Sequence, residues 1–237
     1  MIELELGCAR VVFTDRHGGV SSGPFESMNL AGHVGDDPAA VEENFRRLAG
    51  RLGLIEPTAW VRPFHVHGTE VVEVATAPTG PTEADGSATT APGLPLVALG
   101  ADCAPIALAN DTAVAAIHAG WRGALDGVVE AGVAAVRTLG TGAVRAAIGP
   151  CICVRHYEFG LDALAPLVER FGDSVRGTTT EGAPAFDLPR ALHLALRAVG
   201  VEEVHDQHCC TVESVDHFSY RRDHRTGRQA VIVVKEA

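Results

Sequence analysis

The chain has 237 residues, 46% hydrophobic and 21% charged, which is ordinary for a globular protein with a sizeable core. Its net charge of -11 at pH 7 repels nucleic acid and anionic lipid, and no stretch approaches the roughly 18 uninterrupted apolar residues of a membrane span. Neither nucleic acid nor a membrane is therefore expected as a partner. The start, MIELELGCARVVFTD, lacks the basic opening and apolar run of a secretion signal, which implies a cytoplasmic protein with its six cysteines reduced.

Taken in chain order, residues 10–14 (RVVFT) read as a strand. DRHGGVSSGPFESMNLAGHVGDDP is a long loop rich in Gly, Ser, Pro and Asn, a composition that often carries function. Asp36 or Asp37 can cap a helix over AAVEENFRRLAGRLG, with Pro38 in its first turn. A short strand is expected around 59–62 and another over 69–75, followed by a second loop, PTGPTEADGSATTAPG. Apolar strands follow at 95–100, 104–109 and 113–118, with Asn110-Asp111 turning between the last two. GALDGVVEAGVAAVRTLG is expected as one helix and VRAAIGP as a strand. LDALAPLVERFG reads as a helix despite Pro166, and Asp187 can cap another over PRALHLALRAVG. The end reads as a hairpin: HFSYRR, a DHRTG turn, then RQAVIVV. Strands and helices mix without regular alternation, so the expected class is α+β, a mixed-sheet α/β sandwich. With no repeat or linker in view, a single domain over 1–237 is expected.

Three groups carry candidate chemistry: His67 in His65-Val66-His67-Gly68, Cys103 after Ala101-Asp102, and His118 before Ala119-Gly120-Trp121-Arg122-Gly123. A cysteine with a histidine makes a thiolate nucleophile. Two histidines and one cysteine make a three-ligand zinc site with an open fourth position. A buried cysteine with two satisfied histidines is the bland alternative. Gly120 to Gly123 lies between a strand and a helix start, where free N–H groups, the helix dipole and Arg122 suit phosphate. Cys151, Cys153, Cys209 and Cys210 lack Cys-x-x-Cys spacing and read as buried free thiols rather than a second metal site.

HGTEVV, ADCAPIAL, HAGWRG, IGPCI with YEFG, and FSYRR with TGR together resemble the YfiH-like family. Its members are also called laccase-domain or multi-copper polyphenol oxidoreductase proteins, and purine nucleoside phosphorylases. The resemblance runs from TDRHGG near the start to TGR near the end. It implies a YfiH-like single domain with His67, Cys103 and His118 as both metal ligands and catalytic residues. It also implies a Zn2+ cofactor, with copper as the alternative ion, and purine nucleosides and phosphate as small-molecule partners. The implied reaction is cleavage of adenosine, inosine and methylthioadenosine by phosphate to free base and (methylthio)ribose 1-phosphate, with adenosine deaminase side activity.

One departure stands out: the family's Gln-Val-His-Gly is His65-Val66-His67-Gly68 here, so His65 is a supporting partner, a competing ligand or neutral. Arg16, Asn29 and Arg122 are the expected substrate and phosphate contacts; Arg16 in an ion pair and Asn29 holding a turn are the structural alternatives. Asp102, Asp85 and Glu158 are candidate acids for the leaving purine. Asp102 is the poorest of them if the strand is regular there, because it would face away from Cys103. Tyr220, Arg221, Arg222 and Arg228 are expected in a solvated hairpin.

Three rival functions come from the same residues. A cysteine hydrolase editing a cell-wall precursor would use Cys103 as nucleophile and His118 as base. A copper-dependent polyphenol oxidase needs several His-x-His pairs, and the chain has one, His65 with His67. A partner-binding module needs an apolar surface patch, which a chain with 5% aromatics does not advertise. Composition and spacing leave the oligomeric state open.

Overall fold

The computed structural model describes residues 1–236; residue 237, the end of the domain expected over 1–237, lies outside them. The fold is mixed α and β, as expected. Two sheets face each other, and helices cover the outer side of each.

The first sheet pairs β1 (Ile2–Leu6), β2 (Ala9–Phe13), β12 (Gln229–Lys235) and β5 (Pro95–Gly100) in that order, all antiparallel. The second has six strands. Its order is β11 (Val204–Asp206), β8 (Arg145–Ile148), β6 (Ala104–Ala109), β7 (Val114–Ala119), β4 (Gly86–Thr89) and β3 (Val71–Glu73). The two edge pairs, β11 with β8 and β3 with β4, are parallel; the rest are antiparallel. A small antiparallel pair, β9 (Arg176–Thr178) and β10 (Pro184–Phe186), stands apart.

Side-chain parity explains the layering, because successive residues of a strand point to opposite faces. In β12, Val231 and Val233 join Leu96 and Ala98 of β5 against Ala107, Val114 and Ala116 of the second sheet. Ile232 and Val234 point the other way, onto Val41, Phe45 and Leu48 of α1 (Pro38–Leu52). Ile106, Leu108 and Ile117 leave the second sheet on its far side. There they meet Val129 and Val133 of α3 (Val128–Leu139), Leu164 of α4 (Leu161–Phe171) and Leu192 of α5 (Leu188–Ala198). With both faces covered, β6 and β7 are buried at every residue, which is why they read as continuous apolar runs. Alanines on their inner faces let the sheets approach without large aromatic residues.

The caps expected at Asp37 and Asp187 are present: they accept from the Ala39 and Arg190 backbone N–H groups. Other expectations are corrected. The segment 59–62 is a 3-10 turn, Pro57–Ala59, and a single bridge from Val61 to Leu96. The loop expected after residue 78 contains β4, whose four residues are all buried. The single helix expected over 123–140 is two, α2 (Trp121–Asp126) and α3, parted by Gly127 at φ +104°. Only glycine holds that conformation cheaply. The terminal hairpin is absent: Ser219 accepts from the Arg222 N–H and caps a short helix, α6 (Tyr220–Asp223), while β12 pairs with β2 and β5 instead. No helix of the described residues is long and apolar enough to cross a membrane.

Candidate active site

Three chain segments meet where β7 ends. His118 shares the parity of Val114 and Ala116, so its side chain belongs to the face between the sheets, and it is 4% exposed. Cys103 precedes β6 in a tight connection from β5. That connection passes so close that a Cβ at Gly100 would lie 2.7 Å from the Cys103 carbonyl oxygen. His67 sits in the loop before β3 in a left-handed conformation, φ +61°, which a non-glycine residue adopts at some cost. One donor atom from each of His67, Cys103 and His118 lies within 4.8 Å of the others.

Asp85, fully buried just before β4, organises this trio. His118 Nδ1 donates to its Oδ1 at 2.8 Å. The same carboxylate accepts from the backbone N–H groups of His67 at 2.9 Å and Gly68 at 2.6 Å. It thus fixes the His118 ring, leaves Nε2 for the cluster, and ties the His67 loop to the sheet. Burial opposes its charge, but the bonds from His118 and Gly68 hold its carboxyl below the usual range. Gly120 completes the cradle: a Cβ there would lie 2.9 Å from Cys103 Sγ and 3.1 Å from His67 Cδ2.

Burial raises the Cys103 thiol, but attraction to His118 and hydrogen bonds to His118 and His67 outweigh it and bring it down to about 6. Burial lowers His118, but Cys103 and Asp85 outweigh that and bring it up to about 9. Between those values the pair is a thiolate and an imidazolium. After chelator treatment, iodoacetamide is expected to alkylate Cys103 at a rate that is flat at neutral pH and falls as pH drops below about 6. A rate that still climbs through the ordinary thiol range near pH ~8.5 contradicts this. A metal ion held here would need His118 without its Nε2 proton, so its uptake would release protons at neutral pH and weaken on acidification.

His65 departs from the family's glutamine and lies outside the donor cluster. Its ring stacks on His118 at 4.7 Å and 6°. Burial and the neighbouring His118 push it down to about 3, so it packs as a neutral plate behind His118.

The cluster opens into a cavity of about 630 Å³, within the range of small-molecule sites. One wall is aromatic: Trp121 meets Phe159 edge-on at 5.5 Å, and Tyr157 meets Phe159 at 4.9 Å. Arg122, Arg221 and Arg228 also line it. The Arg122 guanidinium lies 4.8 Å from the Trp121 ring centroid and that of Arg221 5.3 Å from Tyr157. Sequence reasoning undervalued Tyr220, Arg221 and Arg228, which all face this cavity, because it set them in a hairpin that does not form. Arg222 points elsewhere and donates to the carbonyls of Thr211, Ser214 and His217.

Arg16 and Asn29 do not line this cavity. Asn29 is fully buried and committed to its turn: Nδ2 donates to the Ala31 carbonyl, and Oδ1 accepts from the N–H groups of Ala31 and Arg228. Its reach to the cavity is through Arg228. Arg16 Nε donates to the Glu26 carbonyl, and its guanidinium covers Phe218 at 4.8 Å. The helix start expected after β7 is present, with Gly120 at its N-cap. That helix, α2, is only six residues long, and Arg122 in its first turn lines the cavity.

Asp102 is not on a strand; φ +98° turns it inward. Its carboxylate accepts from Thr211 Oγ1 and the Arg221 N–H, both at 2.6 Å. Asp85 is equally engaged. Glu158 is exposed and lines the cavity.

A family model described as multi-copper polyphenol oxidoreductase laccase matches residues 10–236. The chain belongs to that family, the YfiH-like proteins. It is 43% identical to purine nucleoside phosphorylase ORF3 of Streptomyces griseus, over 94% of this chain and 93% of that protein. Protein NMB0706 of Neisseria meningitidis superposes with a TM-score of 0.90 at 32% identity, covering 100% of this chain and 99% of that one. The YfiH protein of Bacillus licheniformis gives 0.87 at 26% identity, covering 96% and 93%. The YfiH-like resemblance drawn from ADC and HAGWRG is thus borne out across the chain.

Proposed function

We propose that this YfiH-like protein is a zinc-dependent purine nucleoside phosphorylase. The observation that carries the reading is the opening of the His67, Cys103 and His118 cluster into a cavity with an aromatic wall and three arginines. The names of relatives such as ORF3 support it.

The residues suit zinc by the chemistry of the donor set. Two imidazoles and one thiolate match a three-ligand site, a carboxylate orients one imidazole, and Gly120 leaves room at the cluster. Copper is the less suited ion, because His65 and His67 form the chain's one His-x-His pair and His65 lies outside the cluster. Bound there, zinc supplies a Lewis acid with an open coordination position.

The protein's own residues do the rest. Trp121, Tyr157 and Phe159 offer faces and edges against which a purine stacks. Arg122, Arg221 and Arg228 hold phosphate for attack at ribose C1′. Glu158 is the carboxyl left to protonate the departing purine nitrogen, since Asp85 and Asp102 are held as acceptors. The same site serves adenosine, inosine and methylthioadenosine. In the deaminase side activity water adds instead at C6 of the adenine ring and ammonia leaves, giving inosine.

The test is product analysis with each nucleoside, with and without phosphate. Phosphate-dependent free base with an equimolar sugar 1-phosphate is expected. Base release that ignores phosphate contradicts it. A second reading has one specific observation behind it: Cys103, His118 and Asp85 are ordered as nucleophile, base and orienting acid. As a metal-free cysteine hydrolase, however, the protein leaves His67 without a role.

A further inference from the structure

Next to Ile152 of the cavity lining, two segments meet at a single bridge between Cys151 and Cys210. From Cys153 the chain enters a 3-10 turn, Val154–His156. Positions three apart eclipse each other in such a turn, so Cys153 and His156 come to one side. From Cys210 the chain turns back, with the Ser214 N–H bonded to the Cys210 carbonyl at 2.9 Å, and brings Glu213 round. The sequence pattern is therefore Cys-x-x-His at 153 and Cys-x-x-Glu at 210. Pairing cysteines only with cysteines hid it.

One donor atom from each of Cys153, His156, Cys210 and Glu213 lies within 4.8 Å of the other three. Tetrahedral zinc with bonds of about 2.0–2.3 Å needs donors roughly 3.3–3.8 Å apart, so small side-chain movements close the set. The contacts already converge. Cys153 Sγ is 3.8 Å from Glu213 Oε1, and His156 Nε2 is 2.9 Å from that oxygen. Arg155 forks onto Glu213 from outside, at 2.9 and 2.7 Å. Nε takes the inner oxygen, Oε1, and Nη2 the outer one, so Nη2 can hold Oε2 while Oε1 exchanges its Nε bond for a cation.

We propose that Cys153, His156, Cys210 and Glu213 form a second metal site, closed and structural, for one tetrahedral divalent cation of the zinc class. Two thiolates, an imidazole and a carboxylate fill all four positions and leave none for substrate. Each thiol gives its proton to solvent as it ligates. The ion fastens residues 151–156 to residues 209–213. The first segment leads into Tyr157, Glu158 and Phe159 of the cavity wall. The second carries Thr211, which holds Asp102 beside Cys103. The site therefore braces the cavity without entering it.

The test is cobalt titration of the full chain, stripped with chelator under reductant, reading thiolate-to-cobalt charge transfer and tetrahedral d–d bands. Wild type is expected to take two equivalents. Cys103→Ser should keep one, with the stronger charge transfer of a two-thiolate site, and Cys153→Ser should keep the other. Glu213→Gln, at an exposed position that does not threaten folding, should weaken the second equivalent by about 100-fold or more. Zinc should also raise the Tm of Cys103→Ser but not of Cys103→Ser with Cys153→Ser. A single equivalent in wild type that vanishes in Cys103→Ser, or a second equivalent unmoved by Glu213→Gln and Cys153→Ser, overturns the site.

Discussion

Cys103→Ala is expected to abolish metal binding at the His67 and His118 cluster and to lower phosphorolysis by about 10³-fold or more. The thiolate is the one anionic donor of that cluster, and a Lewis acid is worth several kcal/mol of transition-state stabilisation, where each ~1.4 kcal/mol is tenfold. The variant should fold. Cys103 lies at the cavity rather than in the core, and removing its sulfur opens space toward Gly120. Metal analysis and initial rates on the same sample check both halves. Wild-type turnover in a folded variant with this cluster empty sinks the assignment.

Asp85→Asn should be nearly as damaging, though Asp85 is a positioning residue. The amide keeps one oxygen acceptor where the carboxylate serves His118, His67 and Gly68 together. Each carboxylate oxygen takes two bonds, Oδ1 from His67 and His118 and Oδ2 from Gly68 and Val66, so one such pair must then face an N–H group. Loss of such an outer partner costs about 10–100-fold in metal affinity, so zinc competition with a chelator should show that weakening. The buried bonds to a charged group should cost about 1.5–3 kcal/mol each when broken, read as a lower denaturant midpoint. The pH dependence has a defined sign. The carboxyl is held below its ordinary value of 3.8, so its stabilisation is complete at neutral pH and is lost on acidification below that value. Asp85→Asn should flatten that acid limb. An unchanged acid limb together with unchanged zinc affinity contradicts the role given to Asp85.

The parts of this site differ in how far they could be read ahead. β5 and β6 were legible at residues 95–100 and 104–109 because glycine and the Ala-Asp-Cys connection bound each apolar run. β1 is legible too, since IELEL alternates cleanly. β4 was hidden. Gly-Ser-Ala-Thr has weak strand preference, and its place between β3 and β7 is set by burial. HFSYRR has strand composition, yet Ser219 finds the Arg222 N–H and caps a helix. That local bond brings Tyr220 and Arg221 to the cavity.

The candidate trio could not be derived from spacing, because positions 67, 103 and 118 meet only through tertiary structure; motif resemblance brought them together. Asp85 was weighed only as an acid. Its surroundings, Glu-Ala-Asp-Gly, read as loop, and no local pattern announces a carboxylate shared by four partners. The Cys153 and Cys210 cluster was missed for a different reason: thiol spacing was compared only with thiol spacing.

The most direct test of the central claim is inosine phosphorolysis measured against zinc occupancy of the His67, Cys103 and His118 cluster in protein stripped and reconstituted stepwise. The rate should be absent without the ion, rise in proportion to occupancy of that cluster, and require phosphate at every point. A rate that survives stripping, or a fully occupied cluster that releases no base with phosphate present, contradicts it.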